Sequence, residues 1–161
     1  MEVKRKRVFD NHSHIGPVPG AAYYGLPQPV KPTLDYNTTE EYLKAMDENH
    51  VDRALVMANY GYPDSAQPFT NNPLVAESAA KSDRLLGAIW VSALPKDRER
   101  TIEALKLIGQ KGLIALKTTC LLGGTFNPEA WDAESAELWN MILDAAAEHD
   151  MPLHIHTSPG G

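Results

Sequence analysis

Short apolar segments alternate with stretches of helical periodicity along this chain. Arg7 to Asp10, Ala54 to Ala58, Leu86 to Val91, Leu113 to Lys117 and Leu153 to Thr157 read as strands. Between the first two, Thr38 followed by Glu41 makes a capping-box signature for a helix over Thr39 to Asn49, with Tyr42, Leu43 and Met46 on one face. Asn72-Pro73 reads as a cap and first-turn proline opening a second helix that runs to about Asp83. A third starts near Asp97, places Ile102, Leu105 and Ile108 at helical spacing and ends at Gly109 and Gly112. A fourth, Glu134 to Glu148, stripes Leu138, Met141, Ile142 and Ala145. Strands and helices in strict alternation imply parallel pairing through right-handed crossovers, hence an α/β fold.

Irregular length is distributed unevenly around these elements. Connections entering strands are short, whereas Gly16 to Tyr36, Asn59 to Asn71 and Thr118 to Ala133 are long and all follow strand C-terminal ends. Parallel α/β folds bind ligands at that edge, which favours a functional reading over tolerated insertions. Tyr23, Tyr24, Tyr36, Tyr60, Tyr62 and Phe69 populate the first two of these loops. Such rings suit a flat or cyclic substrate and can equally pack on the protein.

Composition removes several classes of function. A net charge of −6 and a pI near 5.4 supply no broad positive field for nucleic acid, and Lys4-Arg5-Lys6-Arg7 reads as a solvated tail. No apolar run approaches the roughly 18 residues that span a bilayer, so no membrane partner is expected. The single cysteine, Cys120, forbids an internal disulfide and is consistent with the cytoplasm.

Four of the 6 histidines fall in two pairs, His12-Ser13-His14 and His154-Ile155-His156. Side chains two apart on an extended segment point to the same side, so each pair offers two imidazoles to one space. The first pair follows Asp10, precedes Gly16 and has no apolar pattern that would justify burying it, which points to metal ligation. His50 and His149, each just before a strand, read as ordinary structural residues.

Phe9-Asp10-Asn11-His12-Ser13-His14-Ile15-Gly16 resembles the first-strand Asp-x-His-x-His motif of the amidohydrolase superfamily, in its amidohydrolase-related branch. His50 to Met57 and Arg84 to Ala88 resemble that family's second and third strands, and Lys111 to Lys117 its fourth. His149-Asp150-Met151-Pro152-Leu153-His154-Ile155-His156-Thr157 is similar to its fifth, in which the histidine four residues after the proline reaches the metal.

This resemblance implies strands one to five of a parallel eight-stranded β/α barrel, which typically needs about 250 residues. At 161 residues the chain corresponds to the N-terminal part of such a domain. It also implies His12, His14 and His156 as ligands of a divalent ion, zinc or alternatively manganese, with the family's strand-eight aspartate lying beyond the sequence. His154, Lys117 and Asp10 are expected around the ion or the substrate. Asp10 would orient a histidine or the turn. Lys117 would meet a substrate anion or a buried acid, or serve the structure. Ligands from strands one and five are expected to meet only on a closed sheet. The implied activity is metal-dependent hydrolysis of a small cyclic or carboxylate-bearing molecule, with decarboxylation on the same scaffold as the alternative. A non-catalytic half-barrel, self-associating through the free edges of strands one and five, is the contrasting expectation.

Overall fold

The computed structural model describes residues 6–16, 36–59, 67–120 and 122–157. In chain order its elements are β1 (Phe9–Ile15), α1 (Thr39–Glu48), β2 (Arg53–Ala58), α2 (Gln67–Lys81), β3 (Leu85–Trp90), α3 (Arg98–Leu105), β4 (Leu113–Thr119), α4 (Ala133–Glu148) and β5 (Leu153–His156). Single turns of 3-10 helix occupy Pro95–Asp97 and Pro128–Ala130. The strands are all parallel and pair in sequence order, β1-β2-β3-β4-β5, giving an α/β partial barrel.

Strand periodicity sorts the side chains into two layers. Ala54, Val56 and Ala58 of β2, with Ile89 and Leu116, face Tyr42, Met46, Val75, Ala79, Leu138 and Ile142 of the helices. The alternate positions Leu55, Met57, Ala88 and Ala115 form a second apolar cluster on the concave face. The sheet is therefore covered or apolar on both sides, as parallel strands require.

Local chemistry explains most helix ends. At α1 the Glu41 amide donates to the Thr38 hydroxyl (3.1 Å) while Glu41 Oε2 accepts from the Thr38 amide (3.1 Å), the reciprocal box expected from the sequence. α1 and α4 close alike. His50 and Asp150 take positive φ (57° and 51°), and the amides of Val51 and Met151 reach back to the carbonyls of Met46 and Ala146 (both 2.8 Å). These are Schellman closures, so His50 and the helix-capping His149 serve the chain reversal.

Three boundaries differ from expectation, of which the smallest change is at α3, which closes at Leu105 and leaves Ile108 in the turns before Gly109. α2 begins at Gln67, so Pro73 lies inside the helix and Asn72 is not its cap. The Asn72 side chain instead forks onto β3, its Oδ1 accepting from the Trp90 amide (2.7 Å) and its Nδ2 donating to the Trp90 carbonyl (3.0 Å). A tertiary clamp of this kind leaves no signature in local sequence. β1, for its part, does not stop at Asp10 but continues through both histidines to Ile15.

The seam between α2 and the turn entering β4 is tight at Gly112. Its φ is +83°, and a Cβ there would lie 2.5 Å from the Ala79 carbonyl oxygen, a backbone atom. Gly112→Ala is expected to destabilise the fold by about 2 to 4 kcal/mol, combining left-handed strain with overpacking. The check is the urea midpoint at unchanged m-value.

Candidate metal centre at the strand C-terminal ends

A bulge decides which way the β1 histidines point. Asp10 pairs with Ala54 and Ser13 with Val56, so three steps of β1 match two of β2. Asp10 and Ser13 thus share the helix-facing side with Ala54 and Val56, while His14 pairs with Met57 and faces the concave side. Asp10 holds the bulge. Its Oδ1 accepts from the His12 amide (3.0 Å), and its Oδ2 accepts from the Ser13 hydroxyl. The carboxylate therefore supports the turn of the strand and does not project among the imidazoles.

On the concave side the imidazoles meet. His12 Nε2 lies 3.2 Å from His14 Nε2, and His12 Nδ1 lies 3.2 Å from His154 Nε2. β1 and β5 are opposite ends of the sheet, four strand spacings or about 19 Å apart if it were flat. Their contact shows how strongly the sheet curls. Contrary to expectation, five strands suffice to bring the two histidine motifs together without closure, because the curl already brings the edge strands within reach of each other's facing side chains.

Donor and acceptor identities follow from one fixed point. His14 Nδ1 lies 3.1 Å from the Ala58 carbonyl, which can only accept, so Nδ1 carries the proton and Nε2 is a lone pair. A hydrogen bond to that lone pair makes His12 Nε2 the donor, leaving His12 Nδ1 to accept from His154 Nε2–H. His156 stands further off, its ring centroid 6.2 Å from that of His12, against 5.2 Å for His14 and 4.8 Å for His154.

Electrostatics keep this cluster neutral. Burial, chiefly, pushes the His14 pKa down to about 4, and its hydrogen bond to the Ala58 carbonyl only partly opposes this. Burial followed by the Lys117 charge lowers His12 and His154 as well. At neutral pH these imidazoles are therefore unprotonated, the state a metal requires. Lys117 is fully buried on β4, in register with Trp90 and His154. Its Nζ has no hydrogen-bond partner among the described residues, and burial pulls its pKa down to about 8. The side chain points inward, but no buried acid among the described residues receives it.

The donor chemistry suits zinc in part. Two nitrogens bound at 2.0–2.1 Å to one tetrahedral ion lie about 3.3 Å apart, close to the 3.2 Å between His12 Nε2 and His14 Nε2. The Ala58 carbonyl supplies the outer hydrogen bond that fixes His14. No group of three or more His, Cys, Asp or Glu among the described residues forms a ready-made ion cage, so the pair is preset and a third ligand is not.

Sequence reasoning missed the Ala58 carbonyl and the apolar floor of Leu55, Met57, Ala88 and Ala115 beneath the cluster. Alternation within β2 carries the signal for the floor, since positions 55 and 57 must share the face opposite 54 and 56. Of the loop aromatics, Tyr36 packs edge-on against Tyr42 (5.1 Å) and Phe69 packs against the core. Tyr23, Tyr24, Tyr60 and Tyr62 lie outside the described residues. The third long loop is ordered around its own cluster, in which Trp131 and Trp139 stack at 5.7 Å and both donate to the Thr125 carbonyl.

No helix among the described residues is long and apolar enough to cross a membrane. No protein-family model and no curated protein matches the sequence. Solved structures do match. A probable 2-pyrone-4,6-dicarboxylic acid hydrolase from Acinetobacter baumannii, with citric acid bound, is 17% identical with a TM-score of 0.56 over 96% of this chain and 51% of its own. The IDCase of Metarhizium anisopliae in apo form is 13% identical with a TM-score of 0.61 over 94% and 50%. An Agrobacterium tumefaciens protein in apo form is 18% identical with a TM-score of 0.50 over 93% and 48%. The chain thus has the fold of these proteins and spans about half their length.

Proposed function

We propose that this chain is the histidine-bearing half of a metal-dependent hydrolase of the amidohydrolase-related type, acting on a small cyclic or carboxylate-bearing substrate. The observation that carries the reading is the His12–His14 pair, with nitrogens 3.2 Å apart and His14 fixed by the Ala58 carbonyl. His12, His14 and, after a swing of its ring, His156 would hold the ion. When bound, a divalent metal lowers the pKa of its water toward 7 and polarises a carbonyl oxygen.

The chain's own residues supply the remainder. Engaging His12 through Nε2 would require its proton to move to Nδ1 and the His154 proton to move from Nε2 to its own Nδ1, so that His12 Nδ1–H donates to His154 Nε2. His154 is then the orienting partner that a ligand histidine commonly has. Lys117 Nζ, buried without an acceptor among the described residues, anchors a substrate carboxylate over the apolar floor of Met57, Ala88 and Ala115. A hydrolase and a decarboxylase both occur among the proteins of this fold, and a buried cation beside a metal serves ring opening and loss of CO2 alike.

The test equilibrates the chain with zinc, measures bound metal, and offers 2-pyrone-4,6-dicarboxylate and aromatic carboxylates. The expected result is about one tightly held equivalent and opening of the cyclic ester. CO2 release without ring opening selects the decarboxylase. Failure to retain metal overturns the reading and leaves a non-catalytic half-barrel, whose β1 and β5 edges then predict self-association on size measurement.

A further inference from the structure

The convex side of β1 carries a polar arrangement that the proposed chemistry does not use. Ser13 points away from the imidazoles toward α1, where a cavity of about 160 Å³ is lined by Asp10, Ser13, Tyr36, Tyr42, Met46 and Asn49 among others. Its hydroxyl donates to Asp10 Oδ2, and the same carboxylate accepts the His12 amide through Oδ1. Tyr42 of helix α1 faces Ser13 across this cavity. Tyr42 is itself buried in the main core, on a helix anchored by its capping box and by the 2.8 Å contact between the hydroxyls of Thr39 and Ser78 of α2.

Geometry gives this chain of contacts a consequence. Without the bulge, a period of two would return His14 to the face of Asp10, that is, toward the helices. The bulge inserts the single residue that sends His14 inward, and the side-chain bonds across it run through one carboxylate with two acceptor oxygens. A carboxylate gripping only the His12 amide is held at a single oxygen. Gripping the Ser13 hydroxyl as well, it spans the bulge from both sides. The hydroxyl is thus tied, through the Asp10 carboxylate, to the backbone of a ligand histidine.

We propose that Ser13 is a positioning residue of the metal centre: its hydroxyl locks the Asp10-held bulge that turns His12 and His14 together onto the concave face. This rests on the metal reading of the histidine pair for its functional meaning, whereas the structural claim about the bulge stands separately. Positioning acts through His12 and not by contact with the ion. The hydroxyl is therefore required, while the size of the side chain is not.

The matched variants Ser13→Thr and Ser13→Val isolate the hydroxyl at nearly constant volume, and both carry β-branched side chains that suit a strand. Two readouts are taken on the whole chain. In the metal-free protein, NMR hydrogen exchange of the His12 amide reports the bulge. With cobalt(II) as the probe, the visible spectrum and a competition titration report affinity at the histidine pair. Ser13→Thr is expected to retain wild-type behaviour. Ser13→Val is expected to exchange the His12 amide at least about tenfold faster and to bind cobalt about tenfold or more weakly, the range for an outer-shell partner. Ser13→Ala serves as a second hydroxyl-free variant should valine perturb folding.

Equal amide exchange in Ser13→Thr and Ser13→Val overturns the proposal. So does a cobalt defect without an amide change, because the hydroxyl would then act elsewhere. If no form of the chain, wild type included, distinguishes cobalt binding from that of His12→Ala, the metal reading fails. In that case the amide-exchange comparison alone still decides whether Ser13 holds the bulge.

Discussion

His14→Ala is expected to lower zinc affinity by at least about a hundredfold, or about 2.7 kcal/mol, with His12→Ala close behind. The floor comes from outer-shell partners, whose loss alone costs ten- to a hundredfold at ordinary sites. His14 should be the more damaging change. It is the ring held from behind by the Ala58 carbonyl, and its Nε2 lone pair is already directed at His12. The metal-free protein offers a second readout. With the folded pKa near 4 and the unfolded value near 6.5, the unfolded chain takes up a proton that the folded chain refuses. Stability is therefore lost as pH falls from about 6.5 toward 4. In His14→Ala that portion of the acid loss should disappear. A competition titration with a chromophoric chelator and urea melts from pH 4 to 7 measure the two effects. Wild-type affinity in His14→Ala would remove the pair from the metal site.

Period-two alternation made much of this arrangement legible in advance. It places His12 with His14 and His154 with His156 whatever the register, and apolar runs at parallel-strand spacing show five successive strands. Alternation leaves open which face each pair takes. For His12 and His14 that depends on the bulge, and the bulge depends on the Asp10 carboxylate reaching both the His12 amide and Ser13. The start of α2 was hidden for a related reason. Asn72-Pro73 carries a strong local start signal, but Asn72 is engaged by Trp90 on a strand 18 residues away, and tertiary hydrogen bonds override local preference. The curl that joins His12 to His154 is a property of the sheet as a whole, so no single segment announces it.

Lys117→Met is expected to stabilise the metal-free protein at pH 7 while removing its capacity to hold a carboxylate, and the two effects have one cause. The ammonium is fully buried and without a hydrogen-bond acceptor among the described residues, so the fold bears its desolvation. Burial draws the folded pKa down to about 8 from 10.5 in the unfolded chain. Below pH 8 both states hold the proton and the penalty is fully present. Between about 8 and 10.5 the folded state releases the proton first, so stability rises with pH by an amount on the order of 3 kcal/mol. Methionine matches the aliphatic stem and carries no charge. Lys117→Met should gain about 1 to 3 kcal/mol at pH 7 and show a flat profile from pH 8 to 10.5. Urea melts across that range test both points, and a wild-type profile that is flat or falls with pH would show that the ammonium is solvated or paired. The opposite effect is expected with a carboxylate-bearing ligand, whose affinity should drop at least about tenfold because it loses a charge-assisted bond in a dry site. A residue that weakens the fold yet strengthens binding marks where stability has been given up for recognition. A lysine serving only the structure would lose both at once.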